Sequence, residues 1–572
     1  MHPLFRINML LALAIVLLLA SCNKTNKQGK LVPSDAAFVL HINGQSLNEK
    51  LPWDEIKKNE LFKKINADTT IPAFAKNVLD NPDNSGVDIR SDLILFAQKD
   101  SAGGIVAFEG TLKDAGKFRL FNLDASKGGS ESEKDGIHFI SKAPGCVGWN
   151  KEKFVYLFDA PQMNKHTATS YTDDTTVTVK NRDILAACKA IFDLKENNSL
   201  GNDEKFTSLM NKNGDAHLWV NTEQIYKGMA GDGELSMFKM DKLYEGNIMT
   251  ATANFESGKI NVDYTTYVGK DLKAIFKKYS GGNIDDDMLK RIPSKDVAVA
   301  MALHFKPEGI KELINLTGME GIVNIGLVFM GFSLDDFIKA NKGDISFALT
   351  NIRSKKDSTV YKGMDGKDKV YNNMSYEPDF MFAAAIGDKD AFNLLIKAGK
   401  RLSKDKMDNG DSTITYATSD KYFAIGNSKD NITKYLAGNS NNKPDFISHL
   451  SGNPFGGYIN LQYIMKAMEM QITKDSNEKI IYAASLKMWD NIYIKGGQYD
   501  DGGINYSFEI NMLDKNTNSL KQLNQYLGLV GNIMEEQKKE EAHNYREMKE
   551  LYDKKIKLPP PPPVIKKKKK NK

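Results

Sequence analysis

His41, His138, His166, His217, His304, His449 and His543 follow the first thirty residues, and none stands at metal-ligand spacing from another histidine or a cysteine. The chain has no Gly-x-x-x-x-Gly-Lys-Ser/Thr phosphate loop, no His-Glu-x-x-His pair and no Gly-x-Ser-x-Gly nucleophile elbow. Asn81-x-Asp83-x-Ser85-Gly86 with Asp92 mimics the oxygen spacing of a calcium loop, but Pro82 intrudes and Asp92 stands where a bidentate Glu belongs. A turn leading into a strand is the better reading. His41 and His304 fall in corresponding strands and read as sheet-surface residues rather than a catalytic pair. Cys146 and Cys188 would form a disulfide in an oxidising compartment, or remain buried thiols. Cys188 shares a helical face with Ile184, Leu185, Ile191 and Phe192, which favours the thiol. No catalytic, cofactor-binding or metal-ligating set emerges, no cofactor is expected, and the balance leans away from an enzyme.

Cys22 is the third cysteine, and its setting is specific. His2 and Arg6 precede an apolar run from Met9 to Ala20, then Ser21 and Cys22. That run suits a cleaved export signal and is short for a membrane-spanning helix, which needs about 20 residues. Leu19-Ala20-Ser21-Cys22 resembles the lipobox of bacterial lipoproteins, in which the thiol receives a diacylglycerol and cleavage falls just before the cysteine. Palmitate or a similar chain on Cys22 would anchor the protein to a membrane, more stably with a second acyl chain. Residues 1–21 are then a signal peptide and residues 22–31 a flexible tether. The tether carries Lys24, Lys27 and Lys30 and no acid, and lacks an aspartate after Cys22. It resembles that of an outer-membrane lipoprotein facing the periplasm.

Composition narrows the partners. The chain of 572 residues has 78 basic and 73 acidic residues; setting aside Arg6 and the six lysines between 566 and 572 leaves 71 against 73. The folded body is near neutral, which argues against nucleic acid as a partner.

The body reads as one unit written twice. Val32-Pro33-Ser34-Asp35 opens an apolar strand and so does Ile292-Pro293-Ser294-Lys295; Asp92–Ala97 resembles Asp344–Leu349. Lys113-Asp114-Ala115 follows the apolar strand 105–108 as Lys389-Asp390-Ala391 follows 380–386. Trp219-Val220-Asn221 matches Tyr458-Ile459-Asn460, and Phe255–Val262 matches Tyr499–Tyr506. Matches in a constant order indicate internal duplication. In the last pair, glycine turns are followed by alternating Ile260, Val262, Tyr264, Thr266, Val268 and Ile504, Tyr506, Phe508, Ile510, Met512. Period-two alternation predicts antiparallel sheet with one face buried. The expected fold is α+β: an antiparallel-sheet-plus-helices unit in tandem at 32–280 and 281–530, then a charged helix at 531–557 and a disordered Pro/Lys-rich tail at 558–572.

The lipobox, the Pro-Ser strand opening, Leu51-Pro52-Trp53 and Asn81–Asp88 together resemble an uncharacterised Bacteroidota envelope lipoprotein family, a DUF4836-like domain of unknown function. The resemblance implies an envelope lipoprotein and supplies no activity, substrate or catalytic residue. Five triplets, beginning at Asp68, Asp100, Asp174, Asp357 and Asp411 and all expected in loops, resemble Bacteroidota O-glycosylation acceptors.

Two further segments bear on partners. Ile322, Val323, Ile325, Leu327, Val328, Phe329, Met330 and Phe332 form an almost wholly apolar stretch with no counterpart in the first unit. It is a buried core segment or a surface for a lipid, an apolar ligand or a protein partner. Pro559–Pro563 predicts a polyproline rod of roughly 15 Å, and Lys566, Lys567, Lys568, Lys569, Lys570 and Lys572 beyond it would meet anionic lipid headgroups or cell-wall polymer, or merely solubilise the chain. The expected function is a membrane-anchored, non-enzymatic binding or envelope-organising module. The alternatives are a lipid carrier and an enzyme whose acids assemble in a cleft of one unit only.

Overall fold

The computed structural model describes residues 28–69, 71–100, 103–160, 182–226, 238–362, 368–407, 414–438, 444–469 and 476–553. The first unit contributes β1 (Phe38–Ile42), β2 (Leu93–Gln98), β3 (Ile105–Thr111), β4 (Ser130–Lys134), β5 (Ile137–Lys142), β6 (Gly145–Trp149), β7 (Lys153–Asp159), β8 (Ala216–Asn221), β9 (Ile248–Glu256) and β10 (Lys259–Tyr267). The second contributes β11 (Val297–His304), β12 (Asn341–Lys362), β13 (Asp368–Ile386), β14 (Thr415–Thr418), β15 (Tyr422–Gly426), β16 (Phe455–Asn460), β17 (Trp489–Asp500) and β18 (Gly503–Met512).

Every pairing is antiparallel, and together they make one continuous sheet. Its spatial order is β4-β5-β6-β7-β3-β2-β1-β8-β9-β10, then β18-β17-β16-β11-β12-β13-β15-β14. Read outward from the β10–β18 seam, the two halves have the same connectivity; among the described residues only the β4–β5 hairpin lacks a counterpart. Asp263 lies opposite Ser507, the residue that corresponds to it in the duplicated strand, so the seam sits on a pseudo-two-fold axis. The fold is an α+β tandem duplication closed into a single sheet.

Local chemistry explains the hairpins. Asp501 and Gly502 both have positive φ, the geometry of a two-residue type I′ turn, whose twist matches the flanking strands. At the seam the alternation is present but neither face is strongly buried. Tyr264 stacks on Tyr506 with ring centroids 4.9 Å apart on one side, and Thr265 Oγ1 donates to Asn505 Oδ1 at 2.7 Å on the other. The expectation of one dry and one wet face therefore fails there, because strands from both units share the cover.

Helices close the concave cores. In the first unit α1 (Ile184–Phe192) and the helix Glu204–Met210 bury Val39, Phe96, Leu157, Ile191, Phe206 and Trp219. In the second, α2 (Glu320–Met330) lies outside the core, and the helices Lys429–Ala437 and Phe446–Leu450 cover the sheet. A long α3 (Ser519–Asp553) runs unbroken across residue 530. It packs back on the first unit, where Asn59 Nδ2 donates to the Asn524 carbonyl at 2.6 Å and Lys64 pairs with Glu536 at 2.8 Å.

Candidate functional site

The core face of the first unit ends in polar residues. Across five strands, His217, His41, Ile94, Glu109 and Val155 stand directly opposite one another in turn. Asp92 precedes β2 at the same end, and Thr111 faces Lys153. Asp92, Ile94, Glu109, Thr111 and Lys153 line a cleft of about 640 Å³ together with Gln28–Leu31, so the last four residues of the expected tether belong to the fold. Its volume suits a small ligand.

Glu109 is the unusual residue here. Its carboxyl is 6% exposed and lines the cleft. The other buried carboxylates are bonded. Asp215 receives Lys50, Ser46 and the Phe255 N–H, each at 2.6 Å; Asp344 meets His304 Nδ1 at 2.8 Å; Asp379 meets Arg353, Asn351 and Asn431. Among the described residues Glu109 has no hydrogen-bond partner. Burial pushes its pKa up to about 7, the charge of Lys153 offsetting part of the rise.

Asp92, by contrast, is committed. Gln28 Nε2 donates to Oδ2, and His41 Nε2 lies 3.1 Å from Oδ1. The histidine contact is an ion pair rather than an aligned hydrogen bond. Burial raises the Asp92 carboxyl, but the His41 and Gln28 contacts outweigh it and hold the group below the usual range. Behind it, His41 Nδ1 lies 2.9 Å from His217 Nδ1, and His217 Nε2 lies 3.1 Å from the Lys212 carbonyl. A carbonyl only accepts, so His217 Nε2 carries a proton. Burial, with the charge of His41, depresses His217 to about 4; it is neutral, and its Nδ1 accepts from His41.

Among the described residues the second unit has no such cleft. Its corresponding row is Gly456, Ala302, Ser346, Ala383 and Ala424. Leu450 presses on Gly456, and Tyr435 Oη lies 3.4 Å from Ser346 Oγ. Small strand residues let helices settle onto the sheet and close the space.

The residues singled out from sequence fall as follows. His41 is not on a sheet surface: it is 2% exposed. Nor is it the register equivalent of His304. Val39 faces Trp219 as Ala300 faces Tyr458, which makes His41 the counterpart of Ala302, and His304 that of Asn43. The calcium-like spacing does not converge, since Asp83 pairs with Lys113 at 2.6 Å while Asp92 turns to His41. Cys146 and Cys188 are buried free thiols, and Cys146 Sγ donates to the Val147 carbonyl at 3.8 Å; the influence of each thiol on the other lowers Cys146 and raises Cys188. In α2, Ile322, Ile325, Val328 and Phe329 are exposed, Phe329 at 86%, while Val323, Leu327, Met330 and, just beyond the helix, Phe332 are half-buried. Among the described residues no single helix is long and apolar enough to cross a membrane; α2 with Leu334–Ala340 passes only as a pair bent by 74°. Asp357–Thr359 lies in β12, not in a loop, because the β12–β13 hairpin extends through it. Cys22, the terminal lysines and the triplets at Asp174 and Asp411 lie outside the described residues.

Glu109 escaped the sequence reading, which ended the strand at Phe108. The signal was present: in Ile105-Val-Ala-Phe-Glu-Gly-Thr111 the inward positions are Ile105, Ala107 and Glu109, an acid where the pattern demands an apolar residue.

The class of protein is thus a duplicated α+β unit in one antiparallel sheet, with a polar cleft that, among the described residues, only the first copy has. The chain belongs to the family described as domain of unknown function DUF4836, whose model matches residues 29–368. No curated protein matches it. Among solved structures it is similar to crystal form I of TP0453, at 11% identity and a TM-score of 0.23, over 42% of this chain and 78% of that one. Crystal form III gives 12% and 0.25, over 45% and 87%.

Proposed function

We propose that the protein is a lipid-anchored envelope protein whose first unit binds a small polar ligand in the Glu109 cleft, the second unit serving as scaffold. The observation that carries this reading is a buried carboxyl group without a partner, facing a cleft that the duplicate unit has filled. Burying an unpaired polar group costs stability, so its presence calls for a use. Binding is favoured over catalysis because both oxygens of Asp92 are already engaged, leaving Glu109 the only uncommitted acid of the cleft among the described residues. The lipobox-like leader and the short tether support attachment through Cys22, in the outer membrane facing the periplasm. The exposed face of α2 supports a second contact, with a lipid surface or an envelope protein. The test is native mass spectrometry of protein released gently from its own membranes. A small-molecule adduct that Glu109→Met abolishes is expected; an adduct-free protein, or an adduct indifferent to that change, would contradict the reading.

A further inference from the structure

The uncommitted groups of the cleft are mostly donors. Lys30 and Arg90 at its rim pair with no carboxylate among the described residues, and Lys153 Nζ donates to Thr111 Oγ1 at 3.2 Å. Asn150 directs its Oδ1 to the amides of Glu152 and Lys153, both at 2.8 Å, and so has its Nδ2 to offer. The ionised acceptor that would balance them, Asp92, already holds His41 and Gln28. Three cationic side chains therefore surround one ionised, already paired carboxylate. Such a surface complements a ligand rich in acceptors and negative charge.

Glu109 decides the rest. With a proton, it is one more donor aimed into the cleft; without one, it is a buried negative charge that repels an anion. Resting on the ligand-binding reading of this cleft, we propose that it takes a small molecule bearing a carboxylate, sulfate or phosphate group, seated by Lys153, Arg90 and Lys30, and that seating it requires a proton on Glu109. The charged groups that line the cleft with that carboxyl are Lys153, Asp92, Arg90 and Lys30, with His41 and His217 lying behind Asp92. Of these, Asp92 is held ionised and His217 neutral between pH 6 and 8.

Isothermal titration of the mature chain tests this with D-glucuronate and sulfate, neither of which titrates between pH 6 and 8, and with D-glucose as the uncharged control. Both anions should bind at pH 6 and about tenfold more weakly at pH 8, as one proton near pH 7 requires. Glucose should give no heat. Glu109→Gln should bind the anions equally at both pH values, and Lys153→Met should bind them at neither, with thermal unfolding confirming that both variants fold. Glucose binding as well as glucuronate would overturn the anion assignment while leaving a polar-ligand cleft standing. Failure of both anions at pH 6, or a tenfold pH dependence persisting in Glu109→Gln, would also overturn it.

Discussion

At the level of single residues, the first unit buries two groups whose proton affinities move in opposite directions, Glu109 in the cleft and His217 behind it. Glu109 rises from 4.5 to about 7, and His217 falls from 6.5 to about 4. The folded state holds the Glu109 proton that the unfolded chain has lost between about pH 4.5 and 7, so this group's contribution to stability declines as pH rises through that window. His217 does the reverse: its contribution is present above 6.5 and lost as pH falls through about 4. Each is worth about 3 kcal/mol over its window by the usual conversion, and in the wild type they nearly cancel. Relative to wild type, Glu109→Gln should therefore gain stability as pH rises from 4.5 to 7, and His217→Gln should lose it from 4 to 6.5. Urea unfolding at half-unit pH steps checks both; parallel curves for all three proteins would contradict the assignment. Little of this was legible beforehand. Histidine spacing along the chain showed nothing, because His41 and His217 meet across strands 176 residues apart in sequence.

At the level of elements, the strands and turns were readable and their exact register was not. Alternation and glycine turns marked the β9–β10 and β17–β18 hairpins, since a pleated, half-covered strand writes its two faces into sequence. β1 and β11 correspond as expected, but their pairing with β8 and β16 sets His41 and His304 two residues apart. A similar limit applies to the cysteines. Helical periodicity placed Cys188 on the buried face of α1, but only packing of α1 on β6 brings it against Cys146. In the exported protein, as proposed, thiol–disulfide exchange with a disulfide oxidase should join the two thiols, the oxidase's own disulfide taking up both electrons and both protons. Protein isolated from the envelope with its thiols alkylated on lysis should be 2 Da lighter at this pair than the reduced chain, with no label at either cysteine. Full alkylation after denaturation would show that the pair stays reduced.

At the level of the whole molecule, the duplication produced one sheet rather than two separate domains. The β10–β18 seam continues the hydrogen-bond ladder between units, and α3 leaves the second unit to pack on the helix Glu60–Ala67 of the first. The repeat was evident in sequence because its matches keep their order; the shared sheet was not, since nothing local distinguishes a strand edge that pairs from one that faces water. Calorimetry should show a single unfolding transition, and cutting the chain after Leu513 should lower its midpoint and speed amide exchange in residues 53–67. Two transitions, with the first unit indifferent to the cut, would mean independent units. The anchor is tested at the same scale. A clickable palmitate analogue should label the protein in cells and leave Cys22→Ser unlabelled; equal labelling of both would remove Cys22 as the attachment point.

The most direct test of the central claim, that Glu109 is kept for a ligand and not for the fold, is the stability of Glu109→Met in the absence of added ligand. Removing an unsatisfied buried carboxyl should stabilise the protein at pH 8 by about 1–3 kcal/mol. A loss of stability of that size would show that Glu109 holds the first unit together, and the cleft would lose its claim to be a binding site.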